Sequence, residues 1–223
     1  FLGTKKDYFN LYEATAKAIK ELENENKLNI PIGGPGSSCW FQNFEGNTIF
    51  SPERSLIYEL IKFCSQKKLP LDFISWHAFS NDPLIEKEIT IYGNYPTFLI
   101  RNWLSYFRMD KNTPLIISEW NYDIGGNWIQ ERAEDSYVVS SFIPHRLKGM
   151  FEAGIDYQIY FCLEDFQNNK EGININRGLF SYSLNNPLFS NAKSIYTLFL
   201  FLNSLGDRFY GYFTLDEFVE VLA

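Results

Sequence analysis

Apolar positions in the first stretch fall at helical spacing. From Asp7 to about Glu25, Leu11, Thr15, Ala18 and Leu22 form one set and Tyr12, Ala16 and Ile19 another, recurring every three to four residues as one face of a helix requires. Asp7 is a side chain able to cap that helix. Leu28 to Ile32 then reads as a short strand. It runs into Gly33-Gly34-Pro35-Gly36-Ser37-Ser38, whose glycines and proline predict a tight, cleft-lining loop. The loop has neither the Lys of a P-loop nor the spacing of a dinucleotide fingerprint, so phosphate binding is a weak reading of it.

The same alternation continues. Ser51-Pro52 predicts a helix start, with Leu56, Ile57, Leu60, Ile61 and Cys64 on the buried face. Leu71 to Trp76 is the next strand, followed by His77, Ala78 and Phe79. Pro96 to about Met109 is the third helix. Pro114 to Ser118 is an apolar run of the kind buried on both faces, and it stops at Glu119-Trp120-Asn121. Gly125-Gly126-Asn127-Trp128 makes a loop, with Asp123 beside it as a loop carboxylate. Arg132 to Glu152 reads as a long helix, kinked or interrupted at Pro144. Ile155 to Phe161 is a fourth strand, followed by Glu164 and Asp165. A Gly- and Asn-rich loop then leads to about Asn191, and Ala192 to Leu205 closes as a helix.

Strand and helix in turn imply a parallel sheet, and polar residues gather at each strand's C-terminal end, where barrel enzymes keep their chemistry. The predicted fold class is therefore α/β, of the (β/α)8 TIM-barrel type. A doubly wound open sheet is the runner-up, but it normally carries a phosphate or nucleotide loop near its first strand. Four strands are legible where a closed barrel needs about eight. Residues 1–206 are thus expected to be the second half of a barrel, strands five to eight. Residues 207–223 are expected to open a β-rich accessory region, since Arg208 to Tyr212 and Phe218 to Ala223 read as strand material. On this reading both termini are cut from a longer protein.

Composition narrows the partners. The 223 residues carry a formal charge of -7 and 18% aromatic residues. An acidic chain without a basic stripe argues against nucleic acid, and many flat aromatic side chains suit a cleft that holds sugar rings. Cys39, Cys64 and Cys162 are too few and scattered for a disulfide framework or a zinc site, and two histidines leave little for a His-based metal centre. No apolar stretch has the length to span a bilayer.

Glu119 is the centre of the chemistry. A carboxylate where a buried apolar run meets solvent is costly unless it is hydrated, paired or used, and an ordinary strand-end Glu is the plain alternative. His77 and Phe79 stand at the equivalent place on the preceding strand. For His77 a core histidine satisfied by backbone remains open, and for Trp120 core packing and ligand stacking are both open.

The stretches Asp7-Tyr8-Phe9-Asn10-Leu11-Tyr12, Thr15-Ala16-Lys17-Ala18-Ile19-Lys20, Gly33-Gly34-Pro35, Leu71-Asp72-Phe73-Ile74-Ser75-Trp76-His77, Ile117-Ser118-Glu119-Trp120-Asn121 and Gly178-Leu179-Phe180 together resemble the C-terminal half of a glycoside hydrolase of family 39. This family of retaining barrel glycosidases includes β-xylosidases, α-L-iduronidases and bacterial exopolysaccharide hydrolases. The resemblance covers roughly residues 3 to 206. It implies that Glu119 is the nucleophile at the end of the seventh barrel strand, with Ser118 in place of the family's Thr. It also implies that His77 helps hold sugar and nucleophile, and that Glu164 and Asp165 contact sugar hydroxyls. Trp40, Phe79, Trp120 and Asn121 complete the expected substrate contacts. Phe79 stands where the family usually has Tyr, which removes a hydroxyl from the subsite.

The family's acid/base Glu, in an Asn-Glu-Pro type motif, would lie upstream of residue 1. The expected activity is therefore double-displacement hydrolysis of a β-linked, xylosidase-like or related saccharide, with no cofactor. Glu164 or Asp165 as an internal proton donor is a lesser alternative. Two other classes stay open. One is a carbohydrate-binding fragment without a working acid pair, and the other is a chain that completes its barrel with the N-terminal half as a separate partner.

Overall fold

The first helix begins at Lys5, ahead of its apolar pattern, because Thr4 and Asp7 cap it together. The Thr4 hydroxyl accepts from the Asp7 N–H while the Asp7 carboxylate accepts from the Thr4 N–H, so two otherwise orphaned donors are satisfied. Asp7 is thus the third residue of a capping box and Thr4 is the cap. The computed structural model describes residues 3–41, 51–79, 94–122, 137–168, 173–175, 177–181 and 191–206. The loop predicted around Gly125, the start of the helix predicted from Arg132, Asp123 and everything from 207 to 223 lie outside the described residues.

In chain order the elements are α1 (Lys5–Asn26), β1 (Gly33–Ser37), a 3-10 turn (Pro52–Arg54), α2 (Leu56–Lys67), β2 (Phe73–Phe79), α3 (Asn94–Tyr106), β3 (Leu115–Asn121), α4 (Tyr137–Glu152), β4 (Tyr157–Tyr160), β5 (Phe166–Asn168), β6 (Ile173–Ile175), β7 (Phe180–Ser181), β8 (Asn191–Ala192) and α5 (Ser194–Asn203). The first four strands form a parallel sheet in the order β1-β2-β3-β4. This is the partial β/α barrel architecture that the alternation predicted.

Three details differ from the sequence reading. The glycine stretch is the strand itself, not the loop after it: Gly33, Gly34 and Pro35 pair with Phe73, Ile74 and Ser75 of β2. A Cβ on Gly33 would stand 2.1 Å from the Phe73 carbonyl oxygen, so the missing side chain is what lets the two backbones meet. Pro144 lies inside the uninterrupted helix α4. The turn at Pro52 precedes α2, whose true cap is Ser55, its hydroxyl accepting from the Tyr58 N–H at 3.1 Å.

The chain divides into two compact units. The first holds the described residues of Phe1–Ala78, Asp82–Trp120 and Glu152–Ile159, and the second those of Phe79–Asn81, Asn121–Phe151 and Tyr160–Ala223. In the first, α2 packs on β1 and α3, burying Ile57, Leu60, Ile61, Cys64, Ile74, Trp76, Ile100, Leu104, Leu115 and Ile117. Asp156 ties the loop before β4 to β3, accepting from the Leu115 N–H at 2.8 Å, while its own N–H bonds the Leu115 carbonyl. In the second, Val139, Ile143 and Met150 of α4 are buried, and Phe142 meets Tyr122 edge-on at 5.1 Å. Where a loop to about Asn191 is expected from the sequence, the chain forms the short antiparallel pairs β5-β6 and β7-β8, and β8 takes in Ala192, so that the closing helix starts at Ser194.

Candidate active site

β3 reads Leu-Ile-Ile-Ser-Glu-Trp-Asn, with Leu115, Ile117 and Trp120 buried and Ile116, Ser118 and Glu119 partly covered. Its branched apolar residues suit a central strand. Glu119 is the first charge after them. On the neighbouring β2, His77 occupies the comparable place, and its Nδ1 lies 3.5 Å from Glu119 Oε2. The carboxylate side chain is 37% exposed and the imidazole 25%. Glu119 therefore keeps contact with solvent while one oxygen faces a nitrogen that can carry a proton. The residues just before the pair are also joined, since the Ser118 hydroxyl donates to the Trp76 carbonyl at 3.3 Å.

The tryptophans of this unit are core residues. Trp40, Trp76 and Trp120 are fully buried. The Trp120 indole N–H donates to the Gln158 side chain of β4, and Trp40 meets Phe41 and Tyr95 edge-on. Of the two roles the sequence left open for Trp120, this placement corresponds to packing. Trp40, expected among the substrate contacts, likewise offers no ring face to solvent.

The second unit holds the other expected contacts. Asn121 is buried, and its amide is engaged by backbone: Nδ2 donates to the carbonyls of Phe161 at 2.5 Å and Arg177 at 3.3 Å, and Oδ1 accepts from the Tyr122 N–H. Phe79 packs edge-on against Phe161, with ring centroids 6.0 Å apart. Glu164 is exposed. Its neighbour Asp165 is buried, with Oδ1 accepting from the Gly178 N–H and from Lys193 Nζ, both at 2.7 Å. Burial, and after it the charge of Asp165, push the thiol of nearby Cys162 upward from its ordinary range. Sequence reading missed Lys193 altogether and noted Gly178 only within a motif.

The pattern as a whole is a parallel β/α sheet with a carboxylate and a histidine side by side at adjacent strand ends, the end at which β/α barrel enzymes carry their chemistry. Residues 1–211 match the glycosyl hydrolases family 39, and the chain belongs to that family. It is 24% identical over 222 residues to a β-xylosidase of Geobacillus stearothermophilus, covering 92% of this chain and 38% of the relative. A shorter match, 33% over 82 residues, is to a β-xylosidase of Caldicellulosiruptor saccharolyticus and covers 36% of this chain and 13% of that one. The chain thus spans well under half the length of the curated relatives it matches.

Among solved structures, a family 39 β-xylosidase from Caulobacter crescentus superposes with a TM-score of 0.59 at 19% identity, over 90% of this chain and 38% of that one. The family 39 enzyme from Xanthomonas axonopodis pv. citri gives 0.59 at 19%, over 92% and 37%. These likenesses establish the fold.

Among the described residues no group of three or more His, Cys, Asp or Glu side chains is placed to hold a metal ion. None of their helices is long and apolar enough to cross a membrane.

Proposed function

We propose that the protein is a retaining β-glycosidase acting on an oligo- or polysaccharide of the xyloside type, with Glu119 as nucleophile. The observation that carries this reading is Glu119 at the end of β3 with His77 Nδ1 at 3.5 Å, in a chain whose curated relatives are named β-xylosidases. The β1-β4 sheet is read as half of a closed (β/α)8 barrel in the whole protein.

In the first step a Glu119 oxygen attacks the anomeric carbon while the acid/base carboxylic acid gives its proton to the departing glycosidic oxygen, leaving a glycosyl ester on Glu119 and an acid/base carboxylate. In the second, water attacks the same carbon, passes a proton to the acid/base carboxylate and frees Glu119, so that configuration is retained. His77, with Nδ1 3.5 Å from Oε2, is read as steadying the carboxylate for attack. Glu164 is read as a contact to sugar hydroxyls. The acid/base carboxyl is read as the Glu of the family's Asn-Glu-Pro type motif, a triplet that does not occur in these 223 residues.

Azide tests the mechanism, because it attacks the glycosyl-enzyme without a general base. With 2,4-dinitrophenyl β-D-xyloside, whose leaving group needs no protonation, azide should accelerate turnover and yield β-xylosyl azide. An α-azide, or no effect of azide on an active chain, contradicts a retaining nucleophile.

A further inference from the structure

The two adjacent acids after β4 are held very differently, and the difference originates in a residue far along the chain. Asp165 is 8% exposed. Its Oδ1 takes hydrogen bonds from the Gly178 N–H and from Lys193 Nζ, each 2.7 Å long, and the Lys193 side chain is itself only 11% exposed. Residues 162–165 and 177–180 are laced together by backbone: Cys162 N–H to Arg177, Leu179 N–H to Cys162, Phe180 N–H to Leu163 and Asp165 N–H to Phe180. The approach is so close at Gly178 that a Cβ there would lie 2.3 Å from the Asp165 nitrogen and 2.4 Å from the Glu164 carbonyl carbon. Lys193 also anchors its own backbone here, its N–H donating to the Leu179 carbonyl at 2.9 Å. A carboxylate with two charge-complementing donors and almost no solvent is a fixed point. Glu164, bonded into the same ladder opposite Phe180, is left with its side chain in solvent.

We infer that Lys193 is a positioning residue for sugar binding: through its ion pair with Asp165 it fixes the backbone that presents Glu164, and Asp165 serves as the anchor instead of a sugar contact. This rests on the reading of Glu164 as a contact to sugar hydroxyls. Lys193 is the N-cap residue of α5 and touches no sugar in this scheme. Its effect is therefore on affinity, transmitted by one buried carboxylate.

The test compares Lys193→Met, Glu164→Gln, their combination, and Lys193→Met with Asp165→Asn, using 2,4-dinitrophenyl β-D-xyloside. Lys193→Met should raise KM about tenfold with kcat nearly unchanged, and the combination with Glu164→Gln should be no worse than Glu164→Gln alone, as for two residues acting through one contact. Adding Asp165→Asn should recover most of the loss, because the amide oxygen still accepts from Gly178 while no charge is stranded in the interior. Independent, multiplying effects of Lys193→Met and Glu164→Gln overturn the inference. So does a Lys193→Met loss confined to kcat, or a Glu164→Gln variant with unchanged KM.

If the parent protein turns over no xyloside, the failure belongs to the proposed function, and amide exchange decides the Lys193 question. Faster exchange at Gly178 and Asp165 in Lys193→Met, restored by the added Asp165→Asn, supports the anchor. Unchanged exchange in Lys193→Met overturns it.

Discussion

Glu119 and Asp165 are both acids that follow apolar strand residues, and their surroundings separate them. Glu119 keeps solvent contact and faces one imidazole nitrogen, whereas Asp165 is enclosed with both a cation and an N–H on one oxygen. A carboxylate that must form and release a bond needs the first setting. Replacing Glu119 by Gln is accordingly expected to reduce kcat on aryl xylosides by at least about a thousandfold, as measured by release of the aryl alcohol, with the melting temperature little changed. The position of Glu119 was legible because an apolar run stops there. The anchoring of Asp165 was not, because its partner lies 28 residues away and no local spacing marks such a pair.

A buried thiol gives a second residue-level expectation. Burial pushes Cys64 from its ordinary value of 9.0 up to about 12, partly offset by its bond with Tyr12, and burial likewise raises Tyr8 and Tyr12. A group whose folded pKa lies above its unfolded one stabilises fully below the unfolded value and loses that contribution as pH rises through the folded one. Stability should therefore decline between about pH 9 and pH 12, as seen in urea midpoints. Cys64→Ala should make the decline shallower, whereas an identical slope in that variant would remove Cys64 from the explanation.

At the scale of elements, helices and apolar strands were legible and the glycine strand was not. Periodicity located α1, α2, α3 and the long stretches β2 and β3 to within a few residues, since a buried face must repeat with the geometry of its element. β1 carries no such pattern: Gly33-Gly34-Pro35-Gly36-Ser37 has turn composition, and only its pairing with β2 makes it a strand. Tertiary contact outweighs propensity there. Because the obstacle to a side chain at Gly33 is a backbone oxygen at 2.1 Å, Gly33→Ala should cost at least the ~1–3 kcal/mol typical of overpacking. A urea denaturation midpoint equal to that of the parent chain would show that β1 can move away from β2.

For the whole molecule, the sequence conveyed the β/α alternation, which the described elements bear out, and the family, which the match over residues 1–211 bears out. It did not convey which side chains the sheet's outer strand exposes. Among the described residues β4 is the last strand in the β1-β2-β3-β4 order, and its Tyr157 and Ile159 are 64% and 57% exposed. An exposed apolar edge strand pairs readily with other chains. The 223-residue chain is therefore expected to self-associate as its concentration rises in sedimentation experiments, and Ile159→Lys should shift it toward monomer. Equal association by the variant would place the contact elsewhere.

In the proposed reaction Glu119 forms the covalent bond to sugar. The most direct test of that bond is incubation with 2,4-dinitrophenyl 2-deoxy-2-fluoro-β-D-xyloside, followed by intact mass and peptide mapping. Dinitrophenolate departs without proton assistance, so the labelling step draws on the nucleophile alone and can proceed when the acid/base carboxyl is not in the chain. One fluoroxylosyl group per molecule, mapped to Glu119, is expected. Labelling at another carboxylate such as Glu164, or none under conditions where a known retaining β-xylosidase is fully labelled, would contradict it.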